Sequence, residues 1–426
     1  MLDMDLIRRD PDAVARELRK RADDVDLGPL LQADEQLRES RARLDSARTE
    51  RKRIGEEIGR RRRAGEDSAE LEGEATRLRE AVAANEQAER ELEESLRVLQ
   101  LELPNLPDPR VPEGGKEANQ VVKVWGQKPQ IENLRDHVEL SELLGLVDYE
   151  RGTKLSGRGF WIYRGLGAAL EWALLDFFCR EHHADGYEFL LPPHLLLEKV
   201  GYDAGQFPKF RDDVFHIEAD EGDRGRFLLP TAETAILGMR SEEVLDEREL
   251  PLKSFAYTPC YRSERGGYRT EERGTVRGHQ FNKVEIFQVV APEGAEAALA
   301  ELIGKAEGIV EKLGLHYRTS LLGARDASAS MAITYDVEVW MPSMDTYKEV
   351  SSASHAADYQ ARRANIRFRR EGQKRREYVH TLNASALATS RVVPALLEQN
   401  QQPDGSVRIP EPLQPWLGTD VLKPRG

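Results

Sequence analysis

The sequence predicts an α+β chain in two parts, a long antiparallel helical hairpin followed by a domain with paired strands at its centre. Residues 27–103 carry apolar positions at 3-4 spacing in two successive runs, which marks coiled-coil seams. Residues 103–115, LPNLPDPRVPEGG, then interrupt any helix with prolines and glycines. Beyond them, residues 256–261 and 280–290 hold enough aromatic and β-branched side chains for buried strands on either side of a glycine-bearing loop. The totals agree with this plan. A chain of 426 residues suits two or three domains with a sizeable core. Charged residues make up 32%, above the usual quarter, and two solvated helices account for the excess; 39% apolar residues argue against disorder. The net charge of −14 excludes a generally basic nucleic-acid binder, so an RNA ligand needs a local basic surface.

Taken in order, residues 1–22 predict a short helix with Asp10 as N-cap and Pro11 in its first turn. In the first long helix, Leu30, Ala33, Leu37, Ser40, Leu44, Ala47, Arg51, Ile54 and Ile58 keep the seam spacing. In the second, Leu71, Ala75, Leu78, Val82, Asn85, Glu89, Leu92, Leu96, Leu99 and Leu103 do the same. Ala64, Gly65, Glu66 and Asp67 break the pattern and mark the tip. Each arm should be about 50 Å long at 1.5 Å per residue. Between residues 41 and 63, ten basic residues face Asp45, Glu50, Glu56 and Glu57, a surplus of +6, while the returning helix is mostly glutamate. That asymmetry suits a solvated coiled coil with compensating faces, and it also suits a rod that grips an RNA backbone. Residues 121–125 suggest a strand, residues 165–184 an amphipathic helix with Leu166, Leu170, Leu174, Phe177 and Phe178 on one side, and residues 187–191 a strand ending at Pro192 and Pro193.

Four stretches carry the chemistry. In the loop between the strands at 256–261 and 280–290 lie Gly266, Gly267 and Gly274 with charges of both signs; Arg262 ends the first strand and Arg277 precedes the second. Guanidiniums fixed at both ends of a hairpin suit a phosphate, since arginine offers a planar fork of donors and stays charged. Before the hairpin stands Thr231-Ala232-Glu233, just after FLLP. After it come TYKEVSS at residues 346–352, followed by YQARRANIR, and HTLNASALATSR at residues 380–391, running into VVPALLEQNQQ. In this order the four stretches resemble the bacterial seryl-tRNA synthetases, a class II aminoacyl-tRNA synthetase family. The hairpin, with RSE and HQFNKVE, is similar to motif 2, the last stretch to motif 3, and the helix and strand at 165–193 to motif 1. The resemblance runs from MLDMDLIRRDPDAV to WLGTD.

That resemblance implies an N-terminal tRNA-binding domain over residues 1–103, a linker over 104–120 and a class II catalytic domain over 121–426, with a mainly antiparallel sheet flanked by helices. It implies a serine–tRNA ligase that forms seryl-adenylate from serine and ATP and then esterifies the 3′ end of tRNA(Ser), with tRNA(Sec) a further candidate. Because the serine carboxylate itself attacks the α-phosphorus, no general base is needed, and positioning and charge stabilisation supply the catalysis. By the resemblance, Arg262 bridges the α-phosphate and the serine carboxylate, Glu264 meets the adenine, and Arg391 approaches the γ-phosphate; Ser263, Val350 and Ser351 complete the ATP-binding segments. Glu349 and Ser352 hold Mg²⁺ through hard oxygen ligands. Thr231 and Glu233, with Ala232 between them, hold the serine ammonium, Glu285 and Ser385 shape the pocket and meet its hydroxyl, and Asn383 belongs to the same serine-binding set. The tRNA is expected along Arg51, Lys52, Arg53, Arg60, Arg61, Arg62 and Arg63 and at the loop around Arg269, Thr270, Glu271 and Glu272. Motif 1 implies a homodimer.

The residues also admit plainer roles. Thr231 after Pro230 suits an N-cap, Glu349 a surface strand position, Glu285 a partner for Lys283, and His279 a structural strand residue. His182, His183 and His355 show no metal spacing. Only two cysteines occur, Cys179 and Cys260, without a CxxC or Cys/His cluster, so neither a zinc site nor a disulfide framework is expected. No run of about 18 apolar residues and no opening signal peptide is present, so a cytoplasmic protein without a membrane segment is expected. Departures from the family pattern fall at Arg269 to Glu272, at Ala353-Ser354-His355, where relatives show Cys-Ser-Asn, and in the glycine-poor NASALATSR. Two other readings stand beside the ligase. A synthetase-like paralogue serving a carrier protein or a natural-product pathway has no use for the arm, and a non-catalytic RNA-binding scaffold has no use for Arg262, Glu349 and Arg391 together.

Overall fold

Helices form where the seam spacing predicts them. A computed structural model describes residues 1–218, 225–264 and 273–425, and in it the chain divides into two units. The first spans residues 2–19 and 23–103, the second residue 1, residues 20–22 and everything from Pro104 onward.

In the first unit, α1 (Met4–Arg9) and α2 (Pro11–Arg19) take the place of the single short helix expected there. Asp10 accepts from the Ala13 amide at 2.9 Å, as its N-cap role requires. The hairpin follows as α3 (Gly28–Ala64) and α4 (Ala69–Glu102). Gly65 ends α3 at φ 74°, a left-handed cap that glycine adopts without a Cβ clash. Leu30, Ala33, Leu37, Leu44, Ile54, Val82 and Leu96 are buried along the seam. Arg51, expected in the seam, is exposed, because a guanidinium in so thin a core would lose its hydration.

In the second unit, residues 104–115 are no loose tether. The Asn105 amide donates to the Ala329 carbonyl at 2.7 Å and the Asp108 amide to Ala332 at 2.9 Å. The buried Asn105 side chain donates to the carbonyls of Ser330 and Ala356. The unit then runs β1 (Gln120–Trp125), α5 (His137–Leu144), α6 (Leu166–Ala184), β2 (Glu188–Leu190), α7 (Ala232–Gly238), β3 (Leu252–Tyr261), β4 (Gln280–Val290), α8 (Ala295–Lys312), β5 (Tyr317–Leu321), β6 (Ile333–Met341), β7 (Thr346–His355), α9 (Tyr359–Ala364), β8 (His380–Ala388) and α10 (Thr389–Asn400), with shorter pieces between. Among the described residues, eight strands make one sheet in the order β1-β5-β6-β7-β8-β4-β3-β2. Every pairing is antiparallel except the edge pair of β2 with β3. Leu170, Leu174, Phe177 and Phe178 of α6 pack into the main core with Leu299, Leu302 and Ile309 of α8 and Val392, Leu396 and Leu397 of α10. Leu166, expected on the same face, is exposed in the first turn of α6. No helix among the described residues is long and apolar enough to cross a membrane.

Candidate active site

The central strands β7, β8, β4 and β3 lie side by side, and alternation on a strand sends every second side chain to one face. Lys283 and Glu285 on β4 and Asn383 and Ser385 on β8 share a face in this way, with Glu285 directly opposite Ser385. Glu349 and Ser352 on β7 are three residues apart, so a regular strand would send them to opposite faces. A bulge solves this: Glu349 pairs with Glu338 and Ser351 with Val337, leaving Val350 as the extra residue. Both Glu349 and Ser352 therefore line the same cavity of about 410 Å³, together with Thr231, Glu233, Arg262, Glu264, Lys283, Glu285, Asn383 and Ser385. A smaller recess adjoins it, sharing Arg262, Glu264, Lys283 and Glu349 and adding Val350, Phe281 and Arg391.

One end of the cavity is a closed polar network. Lys283, buried at its floor, donates to Thr231 Oγ1 at 2.8 Å and Ser385 Oγ at 3.1 Å and forms an ion pair with Glu285. Asn383 Nδ2 donates to Glu285 Oε1 at 2.9 Å, and the Thr231 hydroxyl to Glu285 Oε2 at 3.3 Å. Thr231 thus stands at the N-cap of α7 without a side-chain capping bond, its hydroxyl turned to Glu285 and Lys283 instead. Glu285 does pair with Lys283, and both line the cavity. Glu233 is buried in the first turn of α7, where Gln360 Nε2 of α9 donates to Glu233 Oε1 at 2.5 Å; Thr381 in turn donates to Gln360 at 2.6 Å. Burial pushes the Glu233 carboxyl up to about 7, the nearby Glu285 adds to the rise, and the Gln360 bond opposes it.

The other end is arranged around two arginines. Arg262 Nε donates to the Pro230 carbonyl at 3.3 Å, and its guanidinium lies 5.3 Å from the centre of the Phe281 ring. Glu264 is held by Arg277 in an ion pair and has φ 48°, a left-handed conformation that costs a non-glycine residue about 1 kcal/mol or more. Strain of this kind is sustained where a side chain must be aimed. Arg391 Nη1 donates to the Glu349 carbonyl at 2.8 Å and stands 3.2 Å from the Glu349 carboxylate. His279, expected as a structural strand residue, lies one residue before β4; its Nδ1 is 3.0 Å from the Arg262 carbonyl and its ring packs on Phe160.

Three residues named from the sequence do not present side chains to either cavity. Ala232 is fully buried in α7. The Ser263 hydroxyl donates to the Asp212 carbonyl at 2.8 Å, pinning the segment after Arg262. Ser351 is buried on the face away from Glu349 and Ser352. The loop around Arg269, Thr270, Glu271 and Glu272 lies outside the described residues. Lys283 and Gln360 carry the polar end yet were not predicted to. Lys283 had a signal, alternation with Glu285; Gln360 had none, because its part depends on α9 docking beside α7.

For a divalent cation, Glu349 and Ser352 supply a carboxylate and a hydroxyl on one side of the cavity. Asp336, across from Ser352 on β6, is buried with Oδ1 unpartnered among the described residues. Burial and the neighbouring Glu349 hold its carboxyl well above the usual carboxylate range. As anions the two carboxyls would repel each other, and a cation beside them would relieve that repulsion, so the donor set fits a metal ion. Among the described residues no group of three or more His, Cys, Asp or Glu is placed to hold a metal, so such an ion must take the rest of its shell from phosphates and water.

Comparison with known proteins places these features in a family. Residues 215–400 match the tRNA synthetase class II core domain (G, H, P, S and T), and residues 1–107 match the seryl-tRNA synthetase N-terminal domain. Serine--tRNA ligase 2 of Clostridium acetobutylicum is 53% identical over 425 residues, covering 99% of this chain and 100% of its own. Serine--tRNA ligase of Syntrophobacter fumaroxidans is 43% identical over 98% of this chain and 99% of its own. The crystal structure of seryl-tRNA synthetase from Pyrococcus horikoshii complexed with ATP superposes with a TM-score of 0.92 at 33% identity, covering 100% of both chains. The fold is shared as well with the cytoplasmic serine-tRNA ligase of Naegleria fowleri in complex with AMP, at a TM-score of 0.88 and 24% identity.

Proposed function

The chain belongs to the seryl-tRNA synthetase family and activates serine with ATP for transfer to tRNA, and from that premise we propose which of its residues do the work. The polar end of the cavity takes serine. Glu233, with the Thr231 segment, receives the ammonium, while Glu285, Asn383 and Ser385 receive the hydroxyl. ATP lies toward the phosphate end, its adenine against Glu264, its α-phosphate at Arg262 and its γ-phosphate at Arg391. Arg262, which lines both the main cavity and the adjoining recess, aligns the serine carboxylate with the α-phosphorus. Attack there expels pyrophosphate, and the guanidinium stabilises the charge that builds up on the phosphoryl oxygens. A Mg²⁺ ion on Glu349 and Ser352 would neutralise the phosphates. In the second step the terminal ribose hydroxyl of tRNA attacks the adenylate carbonyl and releases AMP.

The observation that carries this reading is the single cavity lined by Thr231, Glu233, Arg262, Glu285, Glu349 and Ser385, drawn from three strands, the end of a fourth and a helix. Arg262→Ala tests it. Serine-dependent ATP–pyrophosphate exchange should fall to background while the circular-dichroism spectrum stays unchanged; exchange near the wild-type rate would remove Arg262 from the reaction.

The tRNA is read as gripping the arm in the first unit, and a homodimer as forming through α6. In support of the first, Arg53, Arg60 and Arg62 are exposed and Arg61 half-exposed; Arg53 pairs with Glu50, Arg60 and Arg61 with Glu57, and Arg62 with Glu72, while the exposed Arg51, Lys52 and Arg63 stand outside those pairs. Exposed pairs of this kind contribute little and can be exchanged for phosphate contacts. In support of the second, Trp172 of α6 and Leu191 are 51% and 73% exposed, large apolar side chains available for burial against a partner.

A further inference from the structure

Glu171 lies outside the cavity, in the interior of α6, and is buried. Its Oε1 accepts two hydrogen bonds, from the Thr389 hydroxyl at 2.6 Å and from Asn282 Nδ2 at 2.9 Å. Both partners adjoin the site. Thr389 opens α10, the helix that carries Arg391 two residues later, and its hydroxyl also reaches the Asn282 carbonyl at 3.1 Å. Asn282 sits on β4 between Phe281, beneath Arg262, and Lys283, at the floor of the polar end. The Tyr257 hydroxyl donates to the other end of the Asn282 amide at 3.2 Å, which fixes its orientation. One carboxyl oxygen therefore ties three elements together at the point where α10 leaves β8.

Burying a carboxyl is costly, and nothing in core packing asks for it at this position of α6. Burial pushes Glu171 up to about 7 even though the bonds from Thr389 and Asn282 oppose the rise. Its second oxygen has no partner among the described residues, and the residue lines a separate cavity of about 130 Å³. A leucine would fill the helix face at less expense, so what the carboxyl supplies is the pair of bonds.

We propose that Glu171 is a positioning residue for adenylate formation, setting the start of α10 through Thr389, and so the reach of Arg391 toward the phosphates. The inference rests on the assignment of Arg391 to ATP. Glu171 touches no substrate; it acts through Thr389 and, on β4, through Asn282.

The test uses the full-length enzyme in serine-dependent ATP–pyrophosphate exchange, with KM and kcat taken separately for ATP and for serine, beside a thermal melt. Glu171→Leu should lower kcat/KM for ATP roughly tenfold, the scale of one buried hydrogen bond lost at a positioned group, and leave the KM for serine within about twofold. Glu171→Gln keeps an oxygen that can accept both bonds and should restore most of the loss. Thr389→Val should repeat the defect and Thr389→Ser escape it, which keeps the test decisive if Glu171→Leu folds poorly. The double variant should lose no more than the worse single one, because both remove the same contact. Wild-type kcat/KM for ATP in Thr389→Val, or losses that multiply in the double variant, would overturn the inference. A wild-type enzyme without serine-dependent exchange would instead overturn the underlying reading of the site.

Discussion

On the proposed reading, Glu233 is the residue whose charge the site must control, since it is the carboxylate assigned to the serine ammonium. Its carboxyl is raised from 4.5 to about 7, by burial first and by Glu285 second, with Gln360, Lys283 and Arg262 opposing. The folded chain thus binds a proton that the unfolded chain has released between these values, and Glu233 costs stability as pH rises through that window. Glu233→Gln should therefore be more stable than wild type at pH 8, by as much as ~3 kcal/mol, with the gap closing toward pH 5. Chemical denaturation at both pH values reads this directly. If Glu233 meets the serine ammonium as proposed, the KM for serine should rise roughly tenfold between pH 8 and 6 as the carboxylate is lost, while the KM for ATP moves far less. A flat serine KM would mean the ammonium is held elsewhere. At this scale the sequence disclosed residue types but not their faces. Glu349 and Ser352 stand at a spacing that a plain strand would divide, and only the Val350 bulge reunites them. Gln360 is one amide among many until α9 packs against α7, and then it holds Glu233.

The arm is the element most legible in the sequence, because a seam of apolar residues at 3-4 spacing needs no distant partner to be understood. Two helices of 37 and 34 residues resulted, with the tip at Gly65. What spacing could not show was the pairing of its charges. Arg41 bonds Glu89 and Glu93, Arg48 bonds Glu86, and Arg62 bonds Glu72 across the hairpin, so part of the basic surplus is compensated within the arm. Removing residues 40–90 should leave serine-dependent exchange intact, since every residue assigned to adenylate formation belongs to the other unit, and should cripple tRNA charging. Full-rate charging without the arm would refute its role. A triple change of Arg51, Lys52 and Arg63 to alanine should flatten the salt dependence of tRNA binding, each lost phosphate contact reducing the log–log slope by roughly 0.7–0.9.

Across the whole molecule, the strands at 256–261 and 280–290 were visible but the order of the sheet was not. That order brings β8, the second of the site's strands by position, between β7 and β4, which come earlier in the chain, and no local pattern specifies such a crossover. Strand β3 also begins at Leu252, ahead of the expected start, where Lys253 and Ser254 dilute the apolar signal. The proposed homodimer belongs to this scale. Trp172→Glu with Leu191→Asp should halve the mass found by light scattering; an unchanged mass would put the interface elsewhere.

The central claim is that one polar pocket selects serine and hands it on. ATP–pyrophosphate exchange with each of the twenty amino acids, run beside charging of a bulk tRNA fraction, tests it most directly. Serine should support exchange with a kcat/KM at least roughly a thousandfold above that of alanine, which leaves Glu285, Asn383 and Ser385 without a hydroxyl to bond, and the activated serine should appear on tRNA. Comparable exchange with alanine or threonine, or serine activated but never transferred, would contradict the account.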